Sequence, residues 1–271
     1  MNYIYSLLLG IIQGLTEFLP VSSSAHLILA RVALKFEAID GLTFDVAMHM
    51  GTLAALLIYF HRDIRLLIEG FLRSLSAGRR RGSFEERLSW YIIVASIPAA
   101  FIGYFFEAQI EEYFRNPSVI VVTLSVVAVL FLVFERVFKQ TVEIRSMTLG
   151  KCFIVGVAQS IALIPGVSRS GITILAGLSQ GLKREAAARF SFLLSAPVMV
   201  GAGAKKALDL LQVEFTSNDA GILVVGFLSS AIVGWLAIKF LLSYLARHRL
   251  DVFAYYRILL AVVVLVVIVR G

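Results

Sequence analysis

The sequence predicts an all-α polytopic membrane protein built as an inverted-topology repeat, each half one re-entrant helix hairpin plus three transmembrane helices. Three observations carry that prediction. Apolar residues make up 59% of the 271-residue chain before glycine is counted, against about 45–50% with glycine in an ordinary soluble domain. They gather in stretches long enough to cross a bilayer, which takes about 20 residues. Two further stretches are broken midway by similar Pro-Ser motifs. With 25 basic and 18 acidic residues and the single Cys152, disorder, a coiled coil and a disulfide scaffold are excluded. A net charge of +7 reads in a membrane protein as Arg and Lys in cytoplasmic loops, so no nucleic-acid partner is expected.

The first broken stretch runs from Tyr3 to about Leu34 and is interrupted at Leu19-Pro20-Val21-Ser22-Ser23-Ser24. Residues Met1 to Leu9 carry no basic region, no small-residue cleavage site follows, and Glu17 interrupts the apolar run. The N-terminus is therefore expected to be retained. Proline removes a helical donor, and serine after it caps a new helix. Each half is too short to cross comfortably, which predicts a re-entrant hairpin. Full spans follow at Thr43–Phe60, Trp90–Phe106 and Ser118–Phe134. The second broken stretch, Leu149 to about Leu182, is interrupted at Pro165-Gly166-Val167-Ser168-Arg169-Ser170-Gly171. Spans at Ala187–Ala204, Ile222–Tyr244 and Val252–Val269 complete the chain.

Shifting the sequence by 146 positions aligns Gly10–Ala30 with Gly156–Ala176, and eight of 21 pairs are identical. These include Gln13/Gln159, Ser22/Ser168 and Ser24/Ser170, polar matches that apolar composition alone does not produce. One membrane domain, 1–271, is thus read as two repeats of about 1–140 and 147–271. Three spans per half is an odd number, so the second repeat enters inverted and the paired broken segments meet at a midplane site. Loop 61–89 holds seven arginines, among them Arg79, Arg80 and Arg81, and is expected inside. Loop 107–117 has Glu107, Glu111 and Glu112 against Arg115, and is expected outside. Arg136, Lys139 and Arg145 of loop 135–148, Lys183, Arg184 and Arg189, and Arg247 to Arg249 read as inside, whereas loop 205–221, with Asp209, Glu214 and Asp219, reads as outside. The first hairpin then dips in from outside and the second from inside, with both termini outward.

Candidate site residues cluster at the two breaks. Gln13 and Glu17 share one helix face, and a carboxylate at membrane depth marks function by default. Ser23 and His26, three apart, supply a hydroxyl and an imidazole, the parts of an activated nucleophile. Backbone N–H groups after Pro20, with Ser22 and Ser24, suit an anion. In the second break Arg169, between Ser168 and Ser170, has a fork suited to phosphate, and Gly166 and Gly171 allow close backbone approach. If the hairpin tips meet, Arg169 faces Glu17, as a salt bridge or across a bound anion. Asp45 and His49 are candidates for a supporting role, and Glu69, Glu85 and Glu86 read as solvated residues of a basic loop. No Walker loop, Cys/His metal spacing, dinucleotide fingerprint or HExxH is present.

The run Gln13-Gly14-Leu15-Thr16-Glu17-Phe18-Leu19-Pro20-Val21-Ser22-Ser23-Ser24-Ala25-His26 resembles the first signature of the undecaprenyl pyrophosphate phosphatases, the bacitracin-resistance proteins. Pro165 to Gly171 resembles their second, and Phe44-Asp45-Val46 a further element. The resemblance implies an inner-membrane hydrolase that removes the terminal phosphate of undecaprenyl pyrophosphate. That reaction recycles the lipid carrier of peptidoglycan synthesis and confers bacitracin resistance. It also implies a divalent cation (Mg2+ or Ca2+) at Glu17 and Gln13, a periplasmic opening, a polyprenyl pyrophosphate partner within membrane lipid, and leaves a homodimer open. Position 13 is Gln where many members have Glu, so any such cation rests on Glu17 beside a neutral amide. On this reading Ser23 is the nucleophile and His26 activates it or protonates the leaving group. Glu17 binds the metal or orients His26, and Arg169 holds phosphoryl oxygens with Ser22, Ser24, Ser168 and Ser170. The alternative is a lipid-phosphate flippase or small-anion transporter using the same inverted-repeat site.

The topology is testable. Cysteines placed at Arg80 and Asn116 are expected to label from opposite membrane faces, Arg80 from the cytoplasm. Labelling of both from one face overturns the inverted repeat.

Overall fold

The two broken helices set the architecture, because their short arms must pack against the longer helices around them. A computed structural model describes residues 2–34, 41–76, 82–114, 116–210 and 217–270. The helices in chain order are α1 (Asn2–Phe18), α2 (Ser23–Leu34), α3 (Gly41–Tyr59), α4 (His61–Ser76), α5 (Phe84–Phe114), α6 (Pro117–Val137), α7 (Leu149–Ile161), α8 (Arg169–Ser179), α9 (Arg184–Leu210), α10 (Ser217–Leu245) and α11 (Asp251–Arg270). Among the described residues there is no strand beyond one bridge between Val142 and Leu182. Among the described residues, five helices are long and apolar enough to cross a membrane. A sixth candidate is the pair Thr43–Tyr59 and His61–Leu75, bent by 77°. The chain is thus an all-α polytopic membrane protein. At 13 residues, α7 reaches only about 20 Å, short of a hydrocarbon core of about 30 Å.

Both breaks have the same backbone at the positions the repeat aligns. Ser22 has φ 76 and Ser168 φ 73, the two non-glycine residues with positive φ among those described. Each caps the helix that follows. Ser22 Oγ accepts from the Ala25 N–H at 3.5 Å and Ser168 Oγ from the Gly171 N–H at 3.2 Å. Gly166, at φ +88, brings its turn onto α6, where a Cβ would sit 3.1 Å from the Ile120 Cα. Around the breaks, α10 packs on α1 and α3, α11 on α6, α5 on α7 and α8 on α9. Small residues allow close approach: a Cβ on Gly14 would lie 2.8 Å from the α10 backbone.

Several connections read as loops are helical. Segment 61–89 contains α4 and the start of α5, so Glu69, Glu85 and Glu86 stand on helices. The physical reason is amphipathicity: Ile64 and Leu67 of α4 pack on the core, while Arg65 pairs with Glu69 at 2.7 Å on the exposed side. Helix α5 likewise continues through 107–114, and α6 starts at once behind the N-cap Asn116. Arg79, Arg80, Arg81, Arg115 and Glu214, used in the charge argument, lie outside the described residues. Other charges assigned to the inside meet in ion pairs at one set of helix ends. Arg184 grips Glu135 at 2.7 Å, Arg189 meets Asp63 at 2.6 Å, and Lys183 pairs with Glu143.

The breaks are held by Arg257 of α11, which is fully buried. Its guanidinium donates to the carbonyls of Pro20 (3.3 Å), Leu124 (3.3 Å), Thr123 (3.4 Å), Gly166 (2.8 Å) and Val167 (3.2 Å). One side chain therefore ties both breaks to α6. Lysine at this position keeps the charge but not the planar fork. A hydrogen bond to a charged group contributes about 1.5–3 kcal/mol, so Arg257→Lys is expected to cost about 3 kcal/mol or more. The measurement is the unfolding midpoint in detergent, and an unchanged midpoint would show that the clamp is dispensable.

Candidate active site

The breaks place the end of α1, the start of α2 and the start of α8 around one carboxylate. The side chain of Glu17 is only 8% exposed. Its Oε1 accepts from Arg169 Nη2 at 2.5 Å, and its Oε2 accepts from Ser23 Oγ at 2.8 Å and Gln13 Nε2 at 3.0 Å. His49 Nε2 stands 3.9 Å from Oε2. The expected meeting of Glu17 with Arg169 is therefore present as a salt bridge. Two more contacts lock the breaks together. The Gly166 N–H donates to Ser24 Oγ at 3.2 Å, and Ser170 Oγ donates to the Leu19 carbonyl at 3.2 Å. Within each break a serine pair closes, Ser22 with Ser24 at 3.1 Å and Ser168 with Ser170 at 3.2 Å.

These groups line a pocket of about 400 Å³. Glu17, Ser22, Ser23, Ser24, Ser168 and Arg169 reach it, with Asp45 and His49 from α3, Gln159 from α7 and Lys206 from α9. Gln13 lies behind Glu17, fully buried, and Asp45 pairs with Arg31 at the rim. Ser170, Gly166 and Gly171 are in the breaks but do not line the pocket. The two glycine N–H groups are taken by Ser24 and Ser168, so these glycines shape the turn instead of approaching a ligand.

His26 departs from its expected role. Its Nδ1–H donates to the Ser22 carbonyl at 2.7 Å, and its Nε2 meets the Tyr256 hydroxyl at 2.7 Å. The ring lies parallel to that of Tyr256, centroids 5.6 Å apart, and outside the pocket lining. Ser23 sends its hydroxyl to Glu17 instead. A three-residue spacing puts two side chains on one helix face, but these two occupy opposite edges of it, one toward α1 and one toward α11. Sequence reasoning also missed Arg257, Tyr256 and Lys206, none of which falls in a motif. Gln159 carried one signal, its match to Gln13 across the repeat.

A sequence profile of the family described as bacitracin resistance protein BacA matches residues 6–263. The chain belongs to the BacA family. Similar relatives include an undecaprenyl-diphosphatase of Rubrobacter xylanophilus, 46% identical over 265 residues that cover 97% of both chains. Another, from Moorella thermoacetica, is 47% identical over 98% of both chains. A third, from Desulforudis audaxviator, is 43% identical and aligns over the full length of each. All three carry the same activity in their names.

The ligands expected for a cation in this BacA-family chain do not form a ready site. Both Glu17 oxygens are engaged by donors, Gln13 turns its amide nitrogen toward them, and the Gln13 oxygen is buried without a partner. Among the described residues no three His, Cys, Asp or Glu side chains gather as a metal cluster. Substrate-free protein washed with chelator is therefore expected to retain no stoichiometric divalent cation by elemental analysis. One tightly held ion per chain would mean that Glu17 and Gln13 rearrange into a ligand set.

Proposed function

We propose that the chain hydrolyses undecaprenyl pyrophosphate to undecaprenyl phosphate and inorganic phosphate, returning the lipid carrier to peptidoglycan synthesis. The observation that carries this reading is the Ser23 hydroxyl donated to a buried carboxylate, itself paired with an arginine from the other break. A nucleophile with its base and an oxyanion grip is what phosphoryl transfer asks of a protein, since charge neutralisation and positioning dominate that chemistry. A carrier of intact anions has no use for the Ser23–Glu17 pair.

In this mechanism the terminal phosphoryl group enters the pocket and draws the Arg169 fork off Glu17 Oε1 onto its own oxygens. Glu17 then holds only its hydrogen-bond donors and takes the Ser23 proton as Oγ attacks phosphorus. Undecaprenyl phosphate leaves, and water releases phosphate from Ser23. Ser22, Ser24 and Ser168 supply hydroxyls at the pocket wall. His26, in place of the proton transfer expected of it, fixes the Ser22 carbonyl at the break and anchors α2 to α11. A divalent cation, as the family resemblance implies, would find oxygen ligands on the pyrophosphate and would neutralise part of its charge, whereas Glu17 and Gln13 offer it no ready site.

The lipid portion has a place to lie. An apolar recess of about 370 Å³, lined among others by Leu57, Ile64, Phe71, Ile92, Leu193 and Val200, shares α3, α5 and α9 with the polar pocket and is closed on its other side by α4. On α5, Ile92 of the recess and Ala99 of the pocket are seven residues apart, on one face. A substrate with a charged head and a long apolar tail matches this pairing. The loop charges support a pocket open to the periplasmic side of the inner membrane.

The test uses purified protein in detergent with a polyprenyl pyrophosphate and a divalent cation. Ser23→Ala and Glu17→Gln are expected to lower kcat on the order of a hundredfold or more, with the substrate still bound by Ser23→Ala. Arg169→Lys is expected to lower kcat/KM comparably, partly recovered at high substrate. Near wild-type turnover by Ser23→Ala would assign the attack to water. Uptake of substrate into liposomes without phosphate release would replace the enzyme by a carrier.

A further inference from the structure

Gln159 sits near the end of α7, before the second break. It is 2% exposed, and among the described residues neither its Oε1 nor its Nε2 has a hydrogen-bond partner. It also lines the polar pocket with Glu17 and Arg169. A buried carboxamide with both ends unpaired is unfavourable, because it has lost water and gained nothing in return. Such a group is retained where something else pairs with it.

The repeat shows what is missing. Its counterpart Gln13 donates to Glu17, four residues on. The residue four after Gln159 is Leu163, which also lines the pocket and offers no acceptor. The second half has kept the amide and lost its carboxylate. A ligand in the pocket can supply the acceptor, and the cationic Arg169 lining the same pocket favours an anion with several oxygens.

Resting on the phosphohydrolase reading of this pocket, we infer that Gln159 is a substrate-binding residue whose carboxamide N–H groups donate to phosphoryl oxygens of the pyrophosphate held by Arg169. Arg169 attracts the charge, whereas the neutral amide recognises where the oxygens lie. A carboxamide can also accept through Oε1 from water carried with the pyrophosphate or from a protonated phosphoryl oxygen, so both ends find partners at once. The helix arms that precede the two breaks thereby differ in role, since Gln13 holds the base and Gln159 holds the substrate.

The experiment compares Gln159→Met, which keeps length and removes both polar ends, with Gln159→Glu, which places a negative charge against the phosphate. Turnover of a polyprenyl pyrophosphate and inhibition by inorganic pyrophosphate are measured beside the unfolding midpoint in detergent. Gln159→Met is expected to raise KM and the pyrophosphate inhibition constant about tenfold or more, with an unchanged or higher midpoint, because an unpaired buried amide is gone. Gln159→Glu is expected to weaken both further. A lowered midpoint with KM and inhibition constant unchanged would make Gln159 structural, its partner an internal water, and overturn the inference. Should Gln159→Met not fold, Gln159→Asn retains both polar ends on a shorter stem, and undiminished pyrophosphate affinity in it would overturn the inference equally. If wild-type protein binds pyrophosphate but releases no phosphate, the phosphohydrolase reading fails, and the binding comparison still decides for or against Gln159.

Discussion

A helix that breaks inside a membrane exposes backbone groups where no water can pair with them, and such groups must find partners within the protein. Here the breaks free carbonyls at Leu19, Pro20, Pro165, Gly166 and Val167, and side chains distant in sequence take them up. Arg257 takes three, Thr123 takes Pro165 at 2.9 Å, and Ser170 takes Leu19. Neither break is complete by itself, because Ser24 of the first also accepts the Gly166 N–H of the second. The site therefore forms only when α6, α11 and both hairpins are docked together. Arg257 also brings a further positive charge behind the turns that line the pocket, and in a low-dielectric setting that charge is weakly screened.

This constraint explains why the resting pocket can hold Glu17 and Arg169 against each other. A buried ion pair gains little over its desolvation cost, so it serves poorly as a fastener. It serves well as a pair that exchanges partners, since phosphoryl oxygens can replace the carboxylate on Arg169 with a similar fork geometry. The rigid fastening comes from the carbonyl clamp and the serine bridges. Glu17 divides its two oxygens accordingly, Oε1 toward the exchangeable arginine and Oε2 toward Ser23 and Gln13.

Much of this was legible in the sequence, for identifiable reasons. Apolar run length gave the spans, proline with serine gave the breaks, and Glu17 and Arg169 stood out because charge is rare in such runs. The amphipathic α4 was hidden because its arginines dominated the reading of segment 61–89, although Ile64 and Leu67 fall at helical spacing. His26 was assigned to Ser23 by spacing alone, and spacing cannot show that Tyr256, 230 positions away, captures the ring. Arg257 was invisible for a related reason: its partners are backbone carbonyls, which have no sequence signature. Gln159 was visible only as half of a repeat match. Its meaning depends on what it fails to touch, and that is a property of packing.

The two positive-φ serines show how local and long-range terms divide the work. A non-glycine residue held in a sparsely populated backbone region costs roughly 1–3 kcal/mol, and a serine N-cap returns roughly 0.5–2 kcal/mol. Locally the two nearly cancel, so the sequence around Ser22 and Ser168 does not by itself choose the broken conformation. Glycine would ease the backbone but forfeit the cap and the bridge to Ser24 or Ser170. The choice is made by contacts from elsewhere, above all the Arg257 clamp on Pro20, Gly166 and Val167. In the mechanism proposed above, these contacts hold the turn backbone in place as the phosphate enters, and the motion of the reaction is the transfer of one guanidinium from carboxylate to phosphate.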